Sequence, residues 1–524
     1  MRKILKQKRT GVLVAVLASA AMAVPAVANA GQDGGALVGT DAGPVRGTVT
    51  TDHRTFQGIP YAAPPVGELR WRSPKPPAPW TRPLDATQPR DRCAQPQNIG
   101  PASEAEDCLY LNVTTPLGHG RPKPVMVWLH GGGNVFGSGS DFDARRLSLG
   151  GDVVVVTINY RLGVLGFLGH PQLKSSGAFG LEDQQAALRW VQRNAASFGG
   201  DPRNVTLFGQ SGGAYDVCGQ LTSPSAAGLF QRAILESGTC SMTWPRNGVN
   251  PGIEAGGPWR PLARAEADGA AFAAREGCAD PATVLDCLRA LPVSKLLADT
   301  AGPQLPAVAF GNRVLPEAPD KALAAGHFAR IPVMSGSNRD ERRLATAFLP
   351  QAFTEDGYQQ LLRDAFGDDA PLVAARYRSA DLGSSALAWA AVATDRVWAC
   401  SQLADDRLLA RRTTTYGFEF ADRNAPPLFP FPPQLPGGAF HSAEMAYLFD
   451  LAGFTPAFTP DQQRLADTMI RYWTRFAATG NPNAADVPAW PRFQNPNVQA
   501  LAPGGIRQVD SATEHNCAFW ESLK

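Results

Sequence analysis

The chain has 524 residues, 44% of them hydrophobic and 18% charged, a balance that belongs to folded globular proteins and excludes disordered and collagen-like chains. Its 49 Lys and Arg stand against 47 Asp and Glu, and the one dense cationic run, residues 6–9, lies at the extreme N-terminus, so no basic surface is left for a nucleic-acid partner. Length alone suggests about three domains.

In chain order the first element is a leader. Arg2, Lys3, Lys6, Lys8 and Arg9 precede an apolar stretch over 11–24, then Pro25 and the small triplet Ala28, Asn29, Ala30, which reads as a secretory signal cleaved after Ala30. The stretch is too short and Ala-rich for a membrane anchor, and no later segment offers the ~20 apolar residues of a span. A secreted protein without stable membrane association is therefore expected, mildly acidic once those five cations and no acid are removed. Residues 31–43 have the composition of a disordered linker. All eight cysteines follow, and an even count in an oxidising compartment points to disulfides. No CxxC occurs, and the seven histidines form no HExxH, so no metal is expected.

Residues 124–129, 153–160 and 205–208 are short apolar runs rich in β-branched and aromatic residues, the pattern of buried parallel strands. Between the last two, Leu181, Leu188, Val191 and Ala195 recur at helical spacing with Arg189, Gln192 and Arg193 opposite, which predicts an amphipathic crossover helix over 181–198, serving core packing. Further strands are expected at 233–235, 331–335 and 416–420, alternating with Ala-rich helices at 263–275 and 386–409. The fold class is α/β, an open and mostly parallel sheet flanked by helices. Residues 76–83 and 425–438 read as loops, the second holding six prolines that stiffen the approach to His441.

The strand at 205–208 runs into Gly209, Gln210, Ser211, Gly212, Gly213 and then a helical pattern, which is the G-x-S-x-G turn in the context it requires. Side chains at Gly209 and Gly213 would collide where strand and helix approach. The strand at 124–129 ends in His130, Gly131, Gly132, Gly133, an HGGG loop. Its backbone N–H groups complete an oxyanion hole with the N–H after the nucleophile, so Gly132, Gly133 and Gly212 are the expected donors.

Blocks beyond these motifs closely resemble the type B carboxylesterases, the carboxylesterase and cholinesterase family: FQGIPYAAPPVGELRWRSP from Phe56, EDCLYLNV from Glu106, VWLHGGGNVFGSGS from Val127, the long block from Gly180 through FGQSGG, SNRDE ending at Glu341, AFHSAEMAYLF around His441 and HNCAFW around Cys517. Because they run from 56 to 520, one catalytic domain over 31–524 is expected in place of three. The resemblance implies an α/β-hydrolase fold and a triad in the order Ser211, Glu341, His441, with Asp340 as the alternative acid. It also implies disulfides joining Cys93 with Cys108, Cys278 with Cys287 and Cys400 with Cys517, and a structural ion pair between Arg70 and Glu106. Cys218 and Cys240 match no pattern: a fourth bridge and two buried thiols both fit.

The chain departs from the family where Gln210 and Gly212 replace the common Glu and Ala, and where Arg342 replaces the usual glycine after the acid, which puts the local backbone in question. Loop 94–107 lacks the tryptophan with which cholinesterases hold a quaternary ammonium. A small neutral ester is the expected substrate, without a cofactor, and segments 242–258, 304–310 and 347–358 are expected to line its pockets. A lipase acting on longer acyl chains is the alternative, and a non-catalytic binding module a more distant one, since all three triad residues stand. No sequence feature sets an oligomeric state.

Overall fold

The computed structural model describes residues 36–98, 100–118, 120–300 and 306–523. The expected leader, the start of the linker at 31–35 and residues 304–305 of the third pocket segment lie outside the described residues.

Among the described residues the main sheet has eleven strands: β1 (Thr48–Val49), β2 (His53–Pro60), β3 (Tyr110–Pro116), β4 (Lys123–Leu129), β5 (Val154–Ile158), β6 (Gly200–Gln210), β7 (Arg232–Glu236), β8 (Val333–Asn338), β9 (Thr415–Phe420), β10 (Asn497–Leu501) and β11 (Arg507–Asp510). Their spatial order is 11-10-9-8-7-6-4-5-3-2-1, parallel from β10 across to β5 and antiparallel at both margins. This is the α/β-hydrolase arrangement. The central stretches of the parallel strands, such as 125–129 and 154–156, are apolar because both faces are covered. Along β4, Val125, Val127 and Leu129 pack into one core while Met126 and Trp128 enter the other.

The helices that position the site are α1 (Phe179–Asn194), α2 (Gly212–Thr222), α3 (Ser385–Ala393), α4 (Cys400–Ala410) and α5 (Pro460–Thr479). Between α3 and α4 the helix expected at 386–409 widens into a π-helical segment, Thr394–Ala399. The linker reading of 31–43 is corrected where the chain is described: Leu37–Gly39 pairs with Pro44–Arg46, and the Trp80 indole donates to Pro44 O at 2.7 Å. No helix among the described residues is long and apolar enough to cross a membrane.

Candidate active site

β6 ends at Gln210 and α2 begins at Gly212, so Ser211 alone makes the turn, at φ 55° and ψ −118°. A non-glycine residue holds such a backbone only where its surroundings impose it. Here the Ser211 N–H donates to Glu236 O on β7 at 2.8 Å. A Cβ at Gly209 would lie 2.6 Å from Gly213 O, and one at Gly213 would overlap Leu129 O. The two glycines let strand and helix meet.

β4 lies beside β6, with Leu129 opposite Gly209, so the HGGG loop emerges against the turn. Gly132 and Gly133 take φ of 105° and 60°. A Cβ on Gly212 would lie 2.7 Å from Gly133 N, which shows how closely the loop rests on the start of α2. The loop is braced from below. Asn134 Nδ2 donates to Asp216 Oδ1 on α2 at 3.1 Å, and Gln184 Nε2 on α1 donates to Asp216 Oδ2 at 2.6 Å. Burial pushes Asp216 up to about 7 against the pull of these two amides. His130 stacks on Tyr160 with ring centroids 4.5 Å apart, and burial pushes it down to about 4, so the ring is neutral. The sequence alone does not single out Asn134, Asp216 and Gln184; the signal available for the first two is an amide and a carboxylate inside otherwise apolar or small-residue blocks, whereas Gln184 stands in a polar run.

β8 delivers the acid. Glu341 Oε1 accepts the Asn338 N–H at 2.7 Å, Glu341 Oε2 lies 2.5 Å from His441 Nδ1, and His441 Nε2 lies 2.8 Å from Ser211 Oγ. The three residues, 130 and 100 positions apart in sequence, meet at the C-terminal ends of the parallel strands, where ligands of open α/β sheets bind. Asp340 points elsewhere, accepting the Ala439 N–H at 3.0 Å and pairing with Arg343 and Arg423. Burial alone would push the His441 imidazole down; the Glu341 carboxylate more than reverses this, with Glu444 adding to it, so its proton affinity is raised. Glu444, wholly buried, is pushed up to about 7 by burial and by Glu341. Glu236 is likewise raised, and accepts the Trp473 indole N–H at 2.9 Å. Gln210 Nε2 donates to Ser442 Oγ at 2.8 Å and lies 3.4 Å from His441 Nε2.

Trp398, from the π-helical segment, lies 5.7 Å from the His441 ring and clusters with Met242, Trp244 and Val397. Segment 242–258 thus forms a wall beside the triad. Segment 347–358 instead sends Leu349, Ala352 and Tyr358 into a separate cluster with Trp389. The backbone at Arg342 is ordinary right-handed helix, φ −77° and ψ −8°, so the glycine it replaces is not required there.

Four disulfides are formed: Cys93–Cys108, Cys278–Cys287, Cys400–Cys517, and Cys218–Cys240, the pair that the sequence left open. The last ties α2 to the segment following β7. Arg70 pairs with Glu106 and also donates to Leu291 O at 2.8 Å, a brace away from the triad.

The sequence profile described as the Carboxylesterase family matches residues 35–520. The chain is 34% identical to para-nitrobenzyl esterase of Bacillus subtilis (strain 168) over 498 residues, covering 89% of this chain and 94% of that protein. It is 33% identical to carboxylesterase 3 of Homo sapiens over 543 residues, 92% and 90% of the two chains. Fumonisin B1 esterase of Sphingopyxis macrogoltabida is 35% identical over 494 residues, 87% of this chain and 84% of the relative.

Proposed function

Because this chain belongs to the carboxylesterase family and is a carboxylic ester hydrolase of type B, we propose that it is exported and hydrolyses neutral esters through an acyl-enzyme formed on Ser211. The observation that carries this reading is the continuous contact from Glu341 through His441 to Ser211 Oγ.

In the reaction, His441 Nε2 takes the Ser211 proton as Oγ attacks the ester carbonyl, and Glu341 stabilises the imidazolium. The carbonyl oxygen gains negative charge and accepts hydrogen bonds from the N–H groups of Gly132, Gly133 and Gly212, while the N-terminus of α2 adds its positive end. His441 then protonates the departing alcohol. Water, deprotonated by the same nitrogen, releases the acid. The neutral Gln210 amide beside His441 supports an uncharged substrate, as does a loop at 94–107 without an aromatic cation trap. Cleavage after Ala30 leaves a catalytic domain beginning at Gly31, and four disulfides fit an oxidising destination.

The test is hydrolysis of p-nitrophenyl esters from acetyl to long acyl chains, with Ser211→Ala made in parallel. Activity on the short esters that falls by about 10⁶-fold in Ser211→Ala is expected. Activity that survives the substitution overturns the reading.

A further inference from the structure

Arg342 follows the triad acid and is wholly buried. Among the described residues it makes no ion pair with a carboxylate. Nε donates to Gly248 O and Nη2 to Asn247 O, each at 2.9 Å, and Nη1 has no partner. Its backbone N–H donates to Thr394 Oγ1 at 3.0 Å, at the start of the segment that carries Trp398. A fully desolvated guanidinium held by carbonyl oxygens alone is expensive, because carbonyl dipoles do not neutralise its charge.

The two carbonyls belong to a tight turn. Asn247 has φ 59° and its N–H donates to Ile253 O at 2.8 Å, while Gly248 N–H donates to Pro245 O at 2.9 Å. From that turn Val249 and Ile253 pack on Met242, Trp244, Val397 and Trp398, and Trp398 lies against His441. Arg342 therefore touches all three structures that enclose His441 on this side: the acid turn, the π-helical segment and the 242–253 wall.

We propose that Arg342 is a positioning residue for the ester hydrolysis: it clamps the Asn247–Gly248 turn against the triad acid and places an uncompensated positive charge behind the Glu341–His441 pair. This rests on the acyl-transfer reading above. The charge has a definite consequence. Of the groups that face His441, Glu341 and Glu444 hold its proton on and Arg342 opposes them; Ser211, Gln210 and Trp398 are neutral. Around this set, Glu236 lies beside Glu444, Asp340 is paired with Arg343 and Arg423, Asp395 with His515, and Arg396 donates to Thr243. Arg342 is thus the cation that opposes the two neighbouring carboxyls at the imidazole.

The test compares Arg342→Gln and Arg342→Met, which both lose the charge and the planar fork that reaches both carbonyls, the first with a polar and the second with an apolar side chain. The readout is the pH profile of kcat/KM on a short p-nitrophenyl ester. Arg342→Gln is expected to move the acid limb upward by about half a pH unit or more, with kcat lower by about tenfold or more from the loosened wall. Arg342→Met is expected to move the limb in the same direction and share the loss in kcat. An unmoved limb in Arg342→Gln reduces the residue to scaffold, and an unmoved limb in Arg342→Met overturns the charge argument even if the Gln variant does not fold. Ester hydrolysis persisting in Ser211→Ala would instead remove the acyl-transfer reading on which the inference stands.

Discussion

Asp340 and Glu341 are adjacent carboxylates, and their surroundings divide them. Glu341 takes the Asn338 N–H on one oxygen and His441 on the other, whereas Asp340 holds Ala439 N–H, Arg343 and Arg423. Glu341→Gln preserves shape but offers His441 an amide that cannot stabilise the imidazolium, so kcat should fall by about 10³- to 10⁴-fold with little change in KM. Asp340→Asn should retain the chemistry and lose about 1–3 kcal/mol of stability, since the Ala439 N–H and two guanidinium groups lose a charged acceptor. Steady-state kinetics and thermal melts on both variants separate the roles, and a kcat lost in Asp340→Asn at unchanged stability would reverse the assignment. At this scale the meeting of Ser211, Glu341 and His441 was legible because each sits in a short local motif. The Asn134–Asp216–Gln184 brace was not, because its members lie in blocks chosen for other reasons and meet only when β4, α1 and α2 pack.

Helix α1 shows how an element can be located and still misread. The apolar stripe from Leu181 to Ala195 correctly marks a helix, but its first turns bury Glu182, Asp183, Gln184 and Gln185 as well. Asp183 takes a two-pronged bond from Arg161 at 2.7 Å, and Gln185 donates to Gln220 at 2.9 Å. Buried polar groups survive where they are paired, and pairing over such distances leaves no periodic trace. Helix α5 does carry a local trace: Thr459 and Gln462 form a capping box, Pro460 opens the helix and Gly480 closes it. Between α2 and the segment following β7, Cys218–Cys240 is a further fastening, invisible to spacing because the two cysteines match no pattern. A mature chain starting at Gly31 with all eight cysteines bridged should take up no alkylating reagent when denatured without reductant. Intact mass should match residues 31–524 less eight hydrogens, and Cys218→Ser with Cys240→Ser should lose about 3 kcal/mol by loop entropy. Two alkylated cysteines in the unreduced protein would dissolve the fourth bridge.

Across the whole molecule the C-terminal tail returns to the sheet through one imidazole. His515 Nδ1 lies 2.6 Å from Asp395 Oδ1 in the π-helical segment, and Nε2 lies 2.5 Å from Glu419 Oε1 on β9. Tyr377 OH donates to Asp395 at 2.7 Å, Arg339 pairs with Glu419 at 2.7 Å, and Cys400–Cys517 closes the same corner. Burial would push His515 down, but the two carboxylates overrule it and raise it from 6.5 to about 10, so the ring is an imidazolium cross-linking the strand that leads toward His441 with the segment that carries Trp398. Between those values the native state holds a proton that the unfolded chain has released, so stability falls as pH rises across the window. The contribution is fully present below pH 6.5 and lost through about pH 10. His515→Gln removes it and leaves two buried carboxylates short of a partner, which should destabilise by about 3–5 kcal/mol at neutral pH. The gap in Tm between wild type and variant should therefore be widest in mildly acidic buffer and close as the pH is raised toward 10. A gap that stays constant over that range would mean the ring is neutral in the native protein, and the tail would then be held without an imidazolium, by its disulfide, its aromatic packing and polar contacts such as Arg407–Glu521 and Trp520 Nε1 to Tyr377 OH.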